Sequence, residues 1–199
     1  MLYNRVIIDR ISFGNPYERK KQFFILDEKI EKSVYYVDIS YDNDSLYIKI
    51  PESERKYIEI KNNGDTYCYL RDNNFYNNFI EPLEKYIIDT VYTNSEGWFN
   101  GKCFSREKIS KCLVSNMHGG YKLCITNKNR IQNQGGDLYI HLKELQFIDN
   151  RFTYNLILMQ SESESESESE SESESESESE SESESESELV DEYYKDEIL

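Results

Sequence analysis

Residues 161–188 are fourteen consecutive Ser-Glu pairs without one apolar side chain. Such a run has nothing to bury against the entropy of ordering, and its like charges repel one another. Its period of two cannot make a strand either, because both faces would be polar. The sequence therefore predicts three parts: a single globular domain over residues 1–160, a disordered acidic tail over residues 161–188, and an acidic, aromatic terminal segment over residues 189–199. A flexible coil of 28 residues spans roughly 30 Å, and more under charge repulsion.

The tail also explains the net charge of −16. It holds fourteen Glu and no base, and residues 189–199 add four acids against Lys195, which leaves 21 acids facing 22 bases in residues 1–160. The chain is thus a charge dipole, and its low pI does not describe the partners of the folded part. About 160 residues suffice to bury one core. Alanine is absent while Tyr, Ile, Asn and Lys abound, which argues against an all-helical fold.

Strand signals dominate up to Arg71. Leu46, Ile48 and Ile50 alternate with Tyr47 and Lys49, and Asp42-Asn43-Asp44 separates them from residues 34–41. Asn63-Gly64 reads as a tight hairpin turn joining residues 56–61 to residues 66–71. Weaker strand candidates cover residues 3–12 and 22–27. The period then changes: Phe75, Phe79, Leu83, Tyr86, Ile87 and Val91 fall at helical spacing to about Asn94. Pro82 either kinks that helix or sits in the first turn of one starting near Glu81, and the second is the better tolerated. Ser105 is placed to cap a second short helix through Leu113. Residues 121–126 read as a strand, residues 127–137 as a loop. In the last hairpin, Leu138, Ile140 and Leu142 answer Phe152, Tyr154, Leu156 and Leu158 across an Asp149-Asn150 turn. The apolar parity slips between Leu142 and Leu145, which predicts a bulge near Lys143-Glu144.

Catalytic and metal signals are weak. Cys103, Cys112, His118 and Cys124 lack the paired spacing of a zinc clamp. The glycine pairs have no phosphate-loop context, and His118 and His141 have no nucleophile elbow near them. The expectation is a protein that is not an enzyme, with free thiols, no metal and no cofactor. No segment reaches the length of a membrane span, and the start does not resemble a secretory signal. The ending Lys195-Asp196-Glu197-Ile198-Leu199 is not a retention signal. A cytosolic, nuclear or viral-factory location with reduced thiols is expected.

The aromatic and basic residues are more informative. Opposite the apolar stripes, Tyr47 accompanies Lys49, Tyr67 and Tyr69 accompany Arg71, and Tyr139 and His141 accompany Lys143. This mixture binds single-stranded nucleic acid, with rings stacking on bases and cations following phosphates. The site expected from these strands is Tyr47, Lys49, Tyr67, Tyr69, Arg71, Tyr139 and Lys143. Trp98 reads instead as an anchor of the glycine-rich exit from the first helix.

Three segments taken in order carry a resemblance: residues 79–99, residues 105–114, and the last hairpin from His141 through Phe147 and Phe152 to Gln160. Together they resemble an uncharacterised protein family of nucleocytoplasmic large DNA viruses, mimivirus-like viruses among them. The last hairpin is similar to the closing strands of viral OB-type single-stranded-DNA-binding proteins, with Glu144-Leu145 standing where Gly-Ile is frequent. The resemblance implies a viral origin, a host-cytoplasmic (viral factory) or virion location, and a DNA-binding role. It also implies an acidic tail that competes with nucleic acid for a cationic groove, or recruits replication or virion proteins.

The expected fold is α+β: a curled, mostly antiparallel sheet with one or two helices inserted between its N- and C-terminal strands. A partly open OB-like barrel is the specific version. The expected function is non-enzymatic binding of single-stranded DNA. The alternative is a virion or host-interaction protein whose Ser-Glu tail is the working segment.

Overall fold

The computed structural model describes residues 1–25, 28–61, 65–127 and 136–159. The Ser-Glu run, the terminal segment and the Asn63-Gly64 turn lie outside the described residues. Among the described residues, ten strands and two α-helices make an α+β fold. In chain order they are β1 (Ile11–Phe13), β2 (Tyr17–Ile25), β3 (Glu28–Tyr41), β4 (Leu46–Ile50), β5 (Arg55–Ile60), β6 (Asp65–Leu70), α1 (Glu81–Trp98), α2 (Arg106–Cys112), β7 (Met117–His118), β8 (Lys122–Thr126), β9 (Leu138–Ile148) and β10 (Arg151–Met159). Both helices fall between the N- and C-terminal strands.

The sheet is open and mostly antiparallel, in the order β1-β3-β9-β10-β8-β6-β5, with β2 on β3, β4 on β9 and β7 on β8. Among the described strands only β10 and β8 pair in parallel, at Ile157 and Thr126. The long strand β9 organises the rest. Its second half pairs with residues 35–38 of β3 and its first half with all of β4. The Asp42-Asn43-Asp44 turn, with φ of 52° at Asp42 and 68° at Asn43, therefore does not fold β4 back onto β3. It sets the two strands end to end along one edge of β9. The expected slip is present: Asn155 pairs with Glu144 but Leu156 pairs with Leu142, so Lys143 is the extra residue of a bulge.

Alternation decides the core. Leu46, Ile48 and Ile50, and Leu138, Ile140 and Leu142, are all buried on one face of the sheet. The same core takes Leu83, Ile87 and Val91 of α1.

One expectation needs correction. Residues 3–12 are not a strand but two short 3-10 turns, Tyr3–Arg5 and Ile8–Arg10, leading into the three-residue β1. Their alternating apolar residues are used locally: Tyr3 is buried edge-on against Phe75 at 4.9 Å, and Val6 and Ile8 pack on the core. The α-helix α1 does start at Glu81 with Pro82 in its first turn, as expected, but it continues a helical stretch that begins earlier. The chain is helical from residue 74, through a wide turn at Tyr76–Ile80 in which the Glu81 amide bonds Tyr76 O five residues back. Pro82 offers no amide and its ring crowds the carbonyl four residues earlier. The wide turn accommodates it. An interior proline costs about 3 kcal/mol. Burying Phe75 and Phe79 (1 % and 0 % exposed) returns roughly 1.5–3 kcal/mol each, so the extended helix wins. At its other end α1 reaches Trp98, whose ring meets Phe13 and Phe147 and so serves as the anchor that the sequence suggests. Ser105 caps α2 as expected, its Oγ accepting from the Lys108 amide at 3.3 Å.

Candidate nucleic-acid interface

Because one parity of each strand is committed to the core, the other is presented on the opposite face. Cross-strand register then determines which of those side chains are neighbours. Tyr47 lies opposite His141, and Lys49 opposite Tyr139. Tyr67 lies between Glu59 of β5 and Cys124 of β8, while Tyr69 lies between Tyr57 and Lys122. Strand β10 carries the face across the gap: Ile157 pairs with His141 on one side and Thr126 on the other. Tyr47, Lys49, Tyr67, Tyr69 and Tyr139 therefore share the sheet face turned away from the core.

The other two expected residues are placed differently. Arg71 stands just past the end of β6, exposed, with its amide donating to Glu54 O at 2.9 Å. Lys143 occupies the bulge, with its ammonium 3.6 Å from the carboxylate of Glu144.

Two groups of rings and cations result. In the first, the Tyr47 and His141 rings lie 4.8 Å apart at 32°, and Lys49 Nζ stands 5.8 Å from the Tyr139 ring. Lys49 is also ion-paired with Asp137. That bond raises the lysine pKa and, with the Glu52 amide, lowers that of Asp137. Burial lowers the pKa of His141, and the neighbouring Lys143 lowers it further. In the second group, Tyr57 and Tyr69 stack at 4.3 Å, and the Tyr69 hydroxyl donates to Glu59 at 3.1 Å. The Tyr67 ring carries two ammonium groups, Lys122 at 4.1 Å and Lys61 at 4.7 Å.

Such a face suits single-stranded nucleic acid on energetic grounds. A cation on an exposed ring contributes about 0.5–1 kcal/mol, whereas a base stacked on a ring contributes about 1–3 kcal/mol. A base arriving at Tyr67 can therefore displace a lysine, and the released ammonium becomes available to a phosphate. Tyr47 and Tyr57, at 43 % and 55 % exposed, present ring surface already.

The sequence reading missed Tyr57, Lys61 and Lys122. Tyr57 was within reach, since strands 56–61 and 66–71 read as partners across a tight turn. Lys122 was not, because its place beside Tyr67 and Tyr69 depends on the pairing of β6 with β8, strands separated by both helices.

The cysteines form no centre. Cys68 is buried, and burial pushes its thiol up to about 12. Cys103 is exposed, while Cys112 and Cys124 are half-buried. Among the described residues no three His, Cys, Asp or Glu side chains are grouped to hold a metal ion, and no helix is long and apolar enough to cross a membrane.

Fold and face together define an α+β protein built on a two-sided open sheet, one side core and the other aromatic and cationic. Compared with known proteins, the chain matches no family, no curated protein and no solved structure.

Proposed function

We propose that the protein is a non-enzymatic single-stranded nucleic-acid-binding protein of a large DNA virus, acting in the host cytoplasm. The observation that supports this reading is the common face of Tyr47, Lys49, Tyr67, Tyr69 and Tyr139, brought about by register rather than by closeness in sequence. The OB-like description of the sheet belongs to the same proposal, and the bulge at Lys143, a device that lets small sheets curl, supports it. The Ser-Glu run competes with nucleic acid for this face, or recruits replication or virion proteins once a strand has displaced it.

Binding of a fluorescent oligodeoxythymidine, titrated with salt, tests the proposal. Affinity should fall steeply with salt, by a slope of roughly 0.7 per phosphate contact. A chain ending at residue 160 should bind more tightly than the whole chain at low salt, and the gap should close as the Debye length shrinks to about 10 Å at 0.1 M. If neither form binds single-stranded DNA or RNA at low salt, the proposal fails and the tail becomes the working segment.

A further inference from the structure

Cations on the outer face are of two kinds. Lys49 and Lys143 each face a carboxylate, Asp137 and Glu144 respectively. A phosphate arriving there meets a charge already largely neutralised, and little counterion is released. Arg19 is different. It stands on β2 opposite Val34 of β3, exposed, and its guanidinium carbon lies 5.0 Å from the Tyr17 ring and 5.4 Å from the Tyr36 ring. Among the described residues no carboxylate forms an ion pair with it.

The brace is rigid. Tyr17 and Tyr36 are stacked at 5.7 Å and 22°, and Tyr36 is only 2 % exposed, packed with Val34 and Ile148 in a small second cluster. The Tyr17 hydroxyl donates to Asp38 at 2.9 Å and lies 3.5 Å from Glu144 Oε2, so both carboxylates face the ring that carries the guanidinium. Glu144 also accepts from Asn155 Nδ2 at 2.9 Å. Beside Arg19 on the same face, Lys21 Nζ stands 5.7 Å from the Tyr36 ring.

This hairpin belongs to the face already described. Tyr36 pairs with Gln146 of β9, and Gln146 with Thr153 of β10. Thr153 and Asn155 continue the row that holds Ile157 beside His141, so the face runs unbroken past the bulge. A guanidinium held on rings keeps its N–H edges directed outward in the fork that fits a phosphate.

We infer that Arg19, braced on Tyr17 and Tyr36 and flanked by Lys21, is a phosphate-contact site of the same interface, which therefore extends onto the β2–β3 hairpin. The inference rests on the nucleic-acid reading and adds a site outside the strands that first suggested it. The ligand group is the phosphodiester of a single strand.

The test uses the whole chain and the same labelled oligodeoxythymidine, comparing wild type with Arg19→Gln, Arg19→Lys and Lys20→Gln. Lys20 is one residue away, on the opposite face and paired with Glu31 at 3.0 Å. Arg19→Gln should lower affinity on the order of tenfold at low salt and reduce the salt slope by about 0.7. Arg19→Lys keeps the charge but not the fork. It should keep the slope and lose several-fold in affinity, with an unchanged thermal transition. Lys20→Gln should leave both unchanged. Equal slope and affinity in wild type and Arg19→Gln would overturn the inference, as would an equal loss in Lys20→Gln, which would mean that net charge alone matters. Failure of the underlying reading looks different: wild type then binds the oligonucleotide at no salt concentration, and the inference falls with it.

Discussion

Two faces of one sheet share every strand and differ in almost everything else. Toward α1, side chains are buried and apolar, and Tyr154 is fully buried with its hydroxyl donating to Glu84 at 2.7 Å. Burial and that carboxylate together raise the Tyr154 pKa far above its ordinary value. On the opposite face most rings are half-exposed and lie against lysine, arginine or histidine. The contrast separates stability from recognition on a scale of one residue. Adjacent positions such as Tyr47 and Ile48 should fail in opposite assays.

The largest expected effect belongs to the core face. Phe79→Ala should lower unfolding free energy by about 3–5 kcal/mol in a denaturant titration. A loss below about 1 kcal/mol would mean that the helix around Pro82 is not packed as described. Tyr154→Phe keeps the ring but leaves Glu84 without its donor, and should cost about 1–3 kcal/mol with little change in oligonucleotide binding. On the outer face the pattern reverses. Tyr47→Ala should weaken oligonucleotide binding by about 1–3 kcal/mol while stability changes by less than about 0.5 kcal/mol. Loss of stability without loss of binding would merge the two faces into one.

The smallest effect is a pH dependence. His141 has a lowered pKa in the folded chain because burial and Lys143 disfavour its charge. The unfolded chain therefore holds the proton more tightly. The stability from this group is complete above its unfolded value of about 6.5 and is lost as pH falls through the lower folded value. Melting curves above and below that window should show a larger drop for wild type than for His141→Gln. Equal drops would remove His141 from the half-buried part of the face.

What could be read from the sequence was whatever depends on near neighbours. The alternation at residues 46–50 and 138–142 gave the core face, and by subtraction the outer face of Tyr47, Lys49 and Tyr139. The broken alternation at Lys143 gave the bulge, and Ser105 gave the cap of α2. What was hidden depends on partners far along the chain. Residues 3–12 alternate like a strand, yet Tyr3 is drawn onto Phe75 and the segment turns. Pro82 marked the start of α1, but the wide helical turn ahead of it, which buries Phe75 and Phe79, had no signal of its own. Arg19 sits on β2, where only the weak strand candidate at residues 22–27 gave any signal. Its bracing rings are two residues away and, across the hairpin, seventeen.

The division of β9 between two partners also has a consequence in time. Strands β3 and β4 lie within the first 50 residues, but the strand that joins them begins at Leu138. During synthesis the apolar edge of Leu46, Ile48 and Ile50 must wait for most of the domain to emerge before its neighbour exists. Contacts of such separation raise the contact order and slow folding, and an unpaired apolar strand is open to other chains meanwhile. Refolding should therefore be limited by the docking of the β9–β10 hairpin, and the waiting β4 edge is where association between nascent chains would begin.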